Sequence, residues 1–271
     1  MAIHVTAVVD RRAEIDPSAE VGAYAIIETG VKIGPETRIW PHAYISAGTT
    51  IGCRVQVHPH AVVGHHPQDF AWKGSPSYTQ IGDETIIREC ATVHRGTLAD
   101  TTTVVGKRCF LMACSHVGHN CVLGDDVKIA NGGLLSGYVS VGDKTFISGL
   151  SGVHQFVRIG ELVMLSGGTR VVMDIPPFMI WGPHGVTGPN VIGLRRAGLT
   201  GEERLELRKC HHLLYRSGLH FREAVARVAE FVRFAPGKRL AAFLAEPSKR
   251  GIGGYRHAGR RVGDSGDGAD V

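Results

Sequence analysis

The 271-residue chain has no run of about eighteen apolar residues, the length needed to cross a bilayer as a helix, so no transmembrane segment is expected. Its start, MAIHVTAVVDRR, lacks a basic stretch followed by an apolar core; it is not a signal peptide, and a cytoplasmic location is expected. The six cysteines (Cys53, Cys90, Cys109, Cys114, Cys121 and Cys210) form no C-x-x-C pair. That spacing argues against a zinc site and a disulfide framework alike, and leaves them as reduced filler. No basic stretch interleaved with aromatics occurs and the formal charge of +5 is mild, so a nucleic-acid partner is not expected, while anionic ligands remain open. Also missing are a carboxylate pair, a Ser-His-Asp order and a phosphate-cradling glycine loop.

What the chain does have is a beat of six. Stepping by six from Ile3 meets Val9, Ile15, Val21, Ile27 and so on to Val63, then Ile81, Ile87 and Val93, then an unbroken series from Val105 to Val171. Only Asp69, Ser75 and Ala99 interrupt it. A period of six is neither the two of a free strand nor the 3.6 of a helix. It keeps one aliphatic side chain inward on each wall of a triangular coil with three short strands per turn. Small or β-branched residues four places later, such as Ala19, Ala25, Thr37 and Ala43, suit the tighter second inward position. The 36 glycines fit the corners, where positive φ is often needed. The expected fold is mainly β, a parallel β-helix of hexapeptide repeats.

The coil is expected over residues 1–177, with a polar, aromatic loop thrown out at about 69–80 and a smaller break at 98–103. Asp174-Ile-Pro-Pro177 cannot continue the pattern. Residues 178–199 read as a connector and 200–245 as a C-terminal helical domain, opened by capping-box spacing in Thr200-Gly-Glu-Glu203. Leu205, Leu213 and Leu214 are expected on the buried face of the first helix, and Pro236 is expected to stop the second. Residues 246–271, rich in Gly, Arg and Asp, read as a disordered tail.

From Val105 onward stacking can be counted, because residues eighteen apart lie one above another at about 4.8 Å. His119 then falls below Gly137 and Tyr138, with His154 and Gln155 one coil higher, His116 at the corner leading in, and Ser166, Gly167 and Gly168 in the column beside them. A lone surface histidine says little; three on one strip beside a loop suggest chemistry. One reading makes a histidine the general base for attack on an acyl thioester. Another makes the histidines metal ligands, as in carbonic anhydrases built on hexapeptide coils. His154 lies two coils above His119, about 9.6 Å by the strand spacing, so one subunit could not close such a metal site. A non-catalytic scaffold is the third reading.

The run Leu111-Met-Ala-Cys-Ser-His-Val-Gly-His-Asn-Cys121 resembles the active-site run of the UDP-N-acetylglucosamine acyltransferases of lipid A biosynthesis. So do Val93-His-Arg-Gly-Thr97, Val153-His-Gln-Phe156, Asp174-Ile-Pro-Pro177 and Tyr215-Arg-Ser-Gly218, and the likeness extends to about residue 245. The resemblance implies a left-handed coil and a homotrimer with sites between subunits. It also implies transfer of a 3-hydroxyacyl group from acyl carrier protein to the 3-hydroxyl of UDP-N-acetylglucosamine, with no metal or other cofactor. It places His119 as the base; Gln68, Asp69, His116, Tyr138, His154 and Gln155 as substrate contacts; Asn190, Arg195 and Arg196 on the nucleotide side; and Gly167 where acyl length is set.

Five positions depart from the family pattern. Ala71 stands in place of a lysine, Asn120 of an acidic residue, Tyr138 of a histidine, Ile192 of a glutamate and Ala197 of an arginine. The reaction type is thereby safer than the acceptor, and an amino-sugar or other nucleotide sugar is the alternative.

Overall fold

The computed structural model describes residues 2–254. Among these, the strands form three sheets of 11, 9 and 8 members, and each coil contributes one strand to each sheet in turn. The first wall begins at Ala2–Ile3, the second at Val8–Val9 and the third at Glu14–Ile15. Most wall strands are two residues long. Their first side chain faces out and their second is buried, as in Glu20–Val21, Lys32–Ile33 and Lys128–Ile129. That alternation is the physical origin of the six-residue beat, since the stacked aliphatic columns are the core.

The corners are held differently from expectation. From Tyr24 to Gly168, outside the two insertions, one residue in six turns in the left-handed region, and most of these are not glycine: Glu36, Arg54, Arg108, Asp126, Tyr138 and Lys144 are examples. Each such residue costs about 1 kcal/mol or more. Its N–H is repaid with a carbonyl of the coil below, as in Arg108 to Asp83 at 2.8 Å and Asp126 to Lys107 at 2.8 Å. Glycines instead form a column where coils approach most closely, through Gly34, Gly52, Gly82, Gly106, Gly124, Gly142 and Gly160. A Cβ on Gly106 would sit 2.3 Å from the Gly124 carbonyl oxygen.

Two insertions interrupt the stack without disturbing the beat. Val63 pairs with Val93, thirty residues on, and Val93 with Val117, twenty-four on, where eighteen is the rule. The spliced segments are therefore twelve and six residues, whole hexads. The walls above them carry on in phase.

Residues 178–199 hold more structure than a connector. Met179–Gly182 pairs in parallel with Met164–Leu165 on the first wall, and Gly185–Pro189 folds back on it antiparallel. Helix α1 (Val191–Arg196) follows. Helices α2 (Gly201–Tyr215), α3 (Phe221–Phe231) and α4 (Ala235–Ala245) then pack together. Thr200 and Glu203 make both bonds of the capping box on α2. Leu205 is half exposed, and Leu207, Cys210 and Leu214 fill the buried face. Pro236 does not stop α3, which ends earlier at Phe231; it lies in the first turn of α4, where a missing N–H costs nothing. The buried Glu206 carboxylate accepts the N–H groups of Arg233 and Phe234 just ahead of α4, at 2.8 and 3.2 Å.

Disorder expected from residue 246 does not hold for 246–254. This segment lies along the top of the coil, where an unpaired edge needs partners. Gly251 C=O accepts from Asp174 N–H at 2.8 Å, Gly253 N–H returns a bond to Asp174 C=O at 2.8 Å, and Arg158 bridges Asp174 and Glu246 at 2.7 Å each. The rest of the expected tail, 255–271, lies outside the described residues. All six cysteines are free, and no helix among the described residues is long and apolar enough to cross a membrane.

Candidate active site

The site is built on the corner where the second wall, at strand His116–Val117, turns toward the third. His119 occupies that turn and is 6% exposed. Its ring fits only because Gly137, in the coil above, has no side chain: a Cβ there would lie 2.3 Å from Nε2 and Cε1. Tyr138 presents its ring edge-on to His119, with centroids 5.2 Å apart. Phe156 stacks on Tyr138 at 5.0 Å, and the Lys249 amine caps Phe156 at 4.4 Å.

Hydrogen bonds determine which nitrogen of His119 carries the proton. Asn120 Oδ1 accepts the Thr97 N–H at 2.9 Å, which identifies that atom as the amide oxygen. It lies 3.1 Å from His119 Nδ1, and an amide oxygen can only accept, so Nδ1 is the protonated nitrogen. The Asn120 N–H in turn donates to Thr103 Oγ1 at 2.7 Å, which fixes the clamp to the coil. Nε2 keeps the lone pair a general base requires. The Asp69 carboxylate faces it at 3.5 Å.

Asp69 reaches this place through the twelve-residue insertion. Its Oδ1 accepts the Ala71 N–H at 3.0 Å, His66 stacks on Trp72 at 4.3 Å, and Lys73 Nζ folds back to the Phe70 carbonyl at 3.0 Å. The lysine two places beyond Ala71 is thus engaged within the loop.

Below His119 the second wall carries more imidazoles. His116 Nδ1 meets Thr92 Oγ1 at 2.7 Å, and the ring of His94 stands edge-on to His116 at 4.9 Å. Burial, and then neighbouring His116, holds His94 down at about 4; burial and then His119 lower His116 as well. A row of neutral imidazoles lines the floor. Among the described residues, no group of three or more His, Cys, Asp or Glu side chains is arranged to hold a metal ion.

These buried rings imply a pH dependence of stability. His94 and His211 both sit near 4 in the folded chain, chiefly through burial, against 6.5 ordinarily. The unfolded chain binds more protons in that window. The stability that their neutrality confers is full above pH 6.5 and is lost as pH falls toward 4, by up to about 3 kcal/mol for each ring. Urea midpoints between pH 7 and 4 should fall in the wild type and fall much less in a His94→Gln, His211→Gln double variant. Equal slopes would refute the assignment.

The expected residues divide into groups. His119, Asp69 and Tyr138 meet, with His116 on the adjoining strand. Leu135 pairs with Val153, so Gln155 stacks over Gly137, with exposed His154 beside it on the same corner. Burial, then Asp69, raises the Tyr138 hydroxyl. Gln68 is exposed at the loop start. Ser166–Gly168 are not beside the histidines. They form the corner between Met164–Leu165 on the first wall and Arg170–Val171 on the second, at the opposite edge of the second wall. Asn190 caps α1 through Gly193 N–H at 3.0 Å and donates to Leu162 C=O at 2.8 Å, on the third corner. Arg195 and Arg196 are exposed in the last turn of α1. The sequence reading assigned no role to Thr92, His94, Thr97 or Thr103. Counting twenty-four back from His116 would have reached Thr92, had the second break been recognised as one whole hexad.

Comparison with known proteins bears on the family and the fold. The profile described as Udp N-acetylglucosamine O-acyltransferase, domain 2, matches residues 174–253, and the bacterial transferase hexapeptide profile matches 102–137. An acyl-(acyl-carrier-protein)–UDP-N-acetylglucosamine O-acyltransferase of Burkholderia lata is 44% identical over 261 residues, covering 92% of this chain and 98% of its own. The UDP-N-acetylglucosamine acyltransferase structure from Francisella novicida superposes with a TM-score of 0.90 at 34% identity, covering 92% of this chain and 93% of that one. Its counterpart from Bacteroides fragilis gives 0.89 at 35%, covering 92% and 99%. The shared fold is a left-handed parallel β-helix with C-terminal helices. Sharing 44% identity along most of its length with one of these enzymes and a fold that superposes on others, the chain belongs to the UDP-N-acetylglucosamine O-acyltransferase family and is an acyltransferase.

Proposed function

We propose that this acyltransferase moves a 3-hydroxyacyl group from acyl carrier protein to the 3-hydroxyl of UDP-N-acetylglucosamine, the first step of lipid A biosynthesis, in the cytoplasm. The observation that carries the reading is His119 itself. Its Nδ1 is clamped by Asn120, and its Nε2 is bare and faces Asp69. Nε2 takes the hydroxyl proton while the oxygen attacks the thioester carbonyl. The new C–O bond forms, the C–S bond breaks, and the imidazolium returns its proton to the departing carrier thiolate. Asp69, facing Nε2, stabilises the imidazolium in between. Gln68, His116, Tyr138, His154 and Gln155 position the sugar and acyl groups, while Asn190, Arg195 and Arg196 serve the nucleotide.

The working unit is a homotrimer. His119, Gly167 and the Asn190 anchor lie on three different corners of the β-helix, with Gly167 and the anchor more than two turns above His119, so a site that uses all three draws on neighbouring subunits. Gly167 bounds the acyl groove. A Cβ there meets nothing closer than the Gly149 carbonyl oxygen at 3.5 Å, so a larger side chain fits without displacing backbone. Each tail methylene kept out of water contributes about 0.8 kcal/mol. The open groove suits an acyl chain of roughly twelve to fourteen carbons, and Gly167→Met should swing preference toward shorter chains by roughly tenfold. Competition among carrier proteins loaded with acyl chains of different length reads this, and an unchanged preference would release Gly167 from the groove.

A mass-spectrometric assay with several 3-hydroxyacyl carrier proteins and a panel of nucleotide sugars tests the reaction as a whole. Transfer to the 3-hydroxyl of UDP-N-acetylglucosamine supports it. Asn120 favours a second reading, a 3-amino-sugar acceptor: an uncharged partner stabilises the imidazolium less than a carboxylate, and an amine attacks with less help from a base. Exclusive turnover of the amino sugar would select that reading.

A further inference from the structure

We infer that Arg95 is a positioning residue for the reaction, holding the backbone bulge that aims the Asp69 loop at His119. The inference rests on Asp69 and His119 being the reaction centre. Strand Val62–His65 pairs in register with Thr92–His94 as far as Val63 and Val93, then slips so that His65 faces His94. Gly64 is the extra residue. It has a φ of +80°, and a Cβ on it would lie 1.9 Å from Thr49 Oγ1, so no other residue fits. A bulged residue loses its partners in the ladder. Here Arg95 supplies one: its Nε donates to the Gly64 carbonyl at 2.7 Å, and its backbone N–H donates to the His65 carbonyl at 3.1 Å.

Arg95 is buried, so its guanidinium needs a counter-charge, and the coils below provide it. Arg95 Nη2 donates to Ser46 Oγ at 2.7 Å, and that hydroxyl donates to Glu28 Oε2 at 2.8 Å. Glu28 also accepts the Ala47 N–H at 2.8 Å and the Tyr44 hydroxyl. The result is a pillar from Glu28 through Ser46 and Arg95 to the bulge. Immediately beyond it the chain leaves the coil, closes the loop base with the His66–Trp72 stack, and delivers Asp69 to 3.5 Å from Nε2. The pairing of Val93 with Val117 puts Arg95 directly beneath His119. Within the loop, the side-chain hydrogen bonds of Asp69, Trp72 and Lys73 go to Ala71, Ser75 and Phe70 and do not reach the coil.

The test uses Arg95→Lys, which keeps the charge but not the two-pronged fork, and Ser46→Ala, which weakens the pillar while leaving the Gly64 bond. Both are measured in the full-length enzyme with both substrates and by amide hydrogen exchange. Arg95→Lys should lower kcat by roughly tenfold and raise the KM for the nucleotide sugar by about fivefold, with the KM for acyl carrier protein within about twofold. Exchange over 66–77 should speed up while the coil is unchanged. Adding Asp69→Asn to Arg95→Lys should cost less than about threefold, although Asp69→Asn alone costs more, because a misaimed carboxylate has little left to lose. Unchanged loop exchange, or losses that simply multiply, would overturn the positioning role. If Arg95→Lys fails to fold, Ser46→Ala should show the same pattern in smaller measure, and its absence there would equally overturn it. If Asp69→Asn alone has no effect while loop exchange still rises, the reaction-centre reading fails and loop anchoring stands.

Discussion

With alanine at position 119 the enzyme should turn over roughly a hundredfold more slowly or worse, with its fold intact. The side chain lies in a corner outside the aliphatic columns, so its removal opens no gap in the core. What is lost is the only group at this corner with a lone pair whose direction is settled by two hydrogen bonds, from Thr97 to Asn120 and from His119 to Asn120. His116 is a poor substitute because it sits on the strand before the corner, and burial lowers its affinity for a proton. The check is single-turnover acyl transfer with both substrates saturating, alongside thermal unfolding. Turnover within about threefold of wild type would remove His119 from the chemistry.

Gly137→Ala should do nearly as much damage with one methyl group. The new Cβ would stand 2.3 Å from Nε2 and Cε1 and 2.9 Å from Nδ1 of His119, so the ring must swing away and break its bond to Asn120. Displacing a catalytic group by about 1 Å can cost two orders of magnitude, and kcat should fall by roughly thirty- to a hundredfold. Stability should change little, because a side chain can rotate where backbone cannot. Gly118→Ala is the contrasting control: its Cβ would meet the Leu135 carbonyl oxygen at 2.7 Å, and that variant should lose stability before it loses anything specific. If Gly137→Ala keeps kcat within about threefold, the ring is not held against that glycine as described.

The contrast between these two glycines shows how unevenly the molecule could be read from its residues. The aliphatic beat made the coil legible, because only a three-walled turn buries every sixth side chain. It also located the corner of His119, Gly137 and Gln155 by counting eighteens above Val105. Glycine was misread as corner flexibility. Most left-handed corners are non-glycine, and the glycine column exists because stacked backbones leave no room for a Cβ. The helical end was legible where a cap was written locally, at Thr200 and Glu203. It was not legible at Pro236, whose place in the first turn of α4 goes with a carboxylate, Glu206, thirty residues away.

By itself, then, the sequence determined the repeat, the phase of each wall and the family likeness, because all three are written in spacings along the chain. Tertiary structure decided the rest. The aperiodic stretch 66–77 carries no period to count, so nothing local says where Asp69 points; the bulge at Gly64, the Arg95 pillar beneath it and the His66–Trp72 stack bring the carboxylate to His119. Likewise the two insertions proved to be whole hexads, which set Thr92 and His94 under His116. The proton on His119 was decided by a contact from Thr97, twenty-three residues before Asn120 and next to it only once the coil has closed.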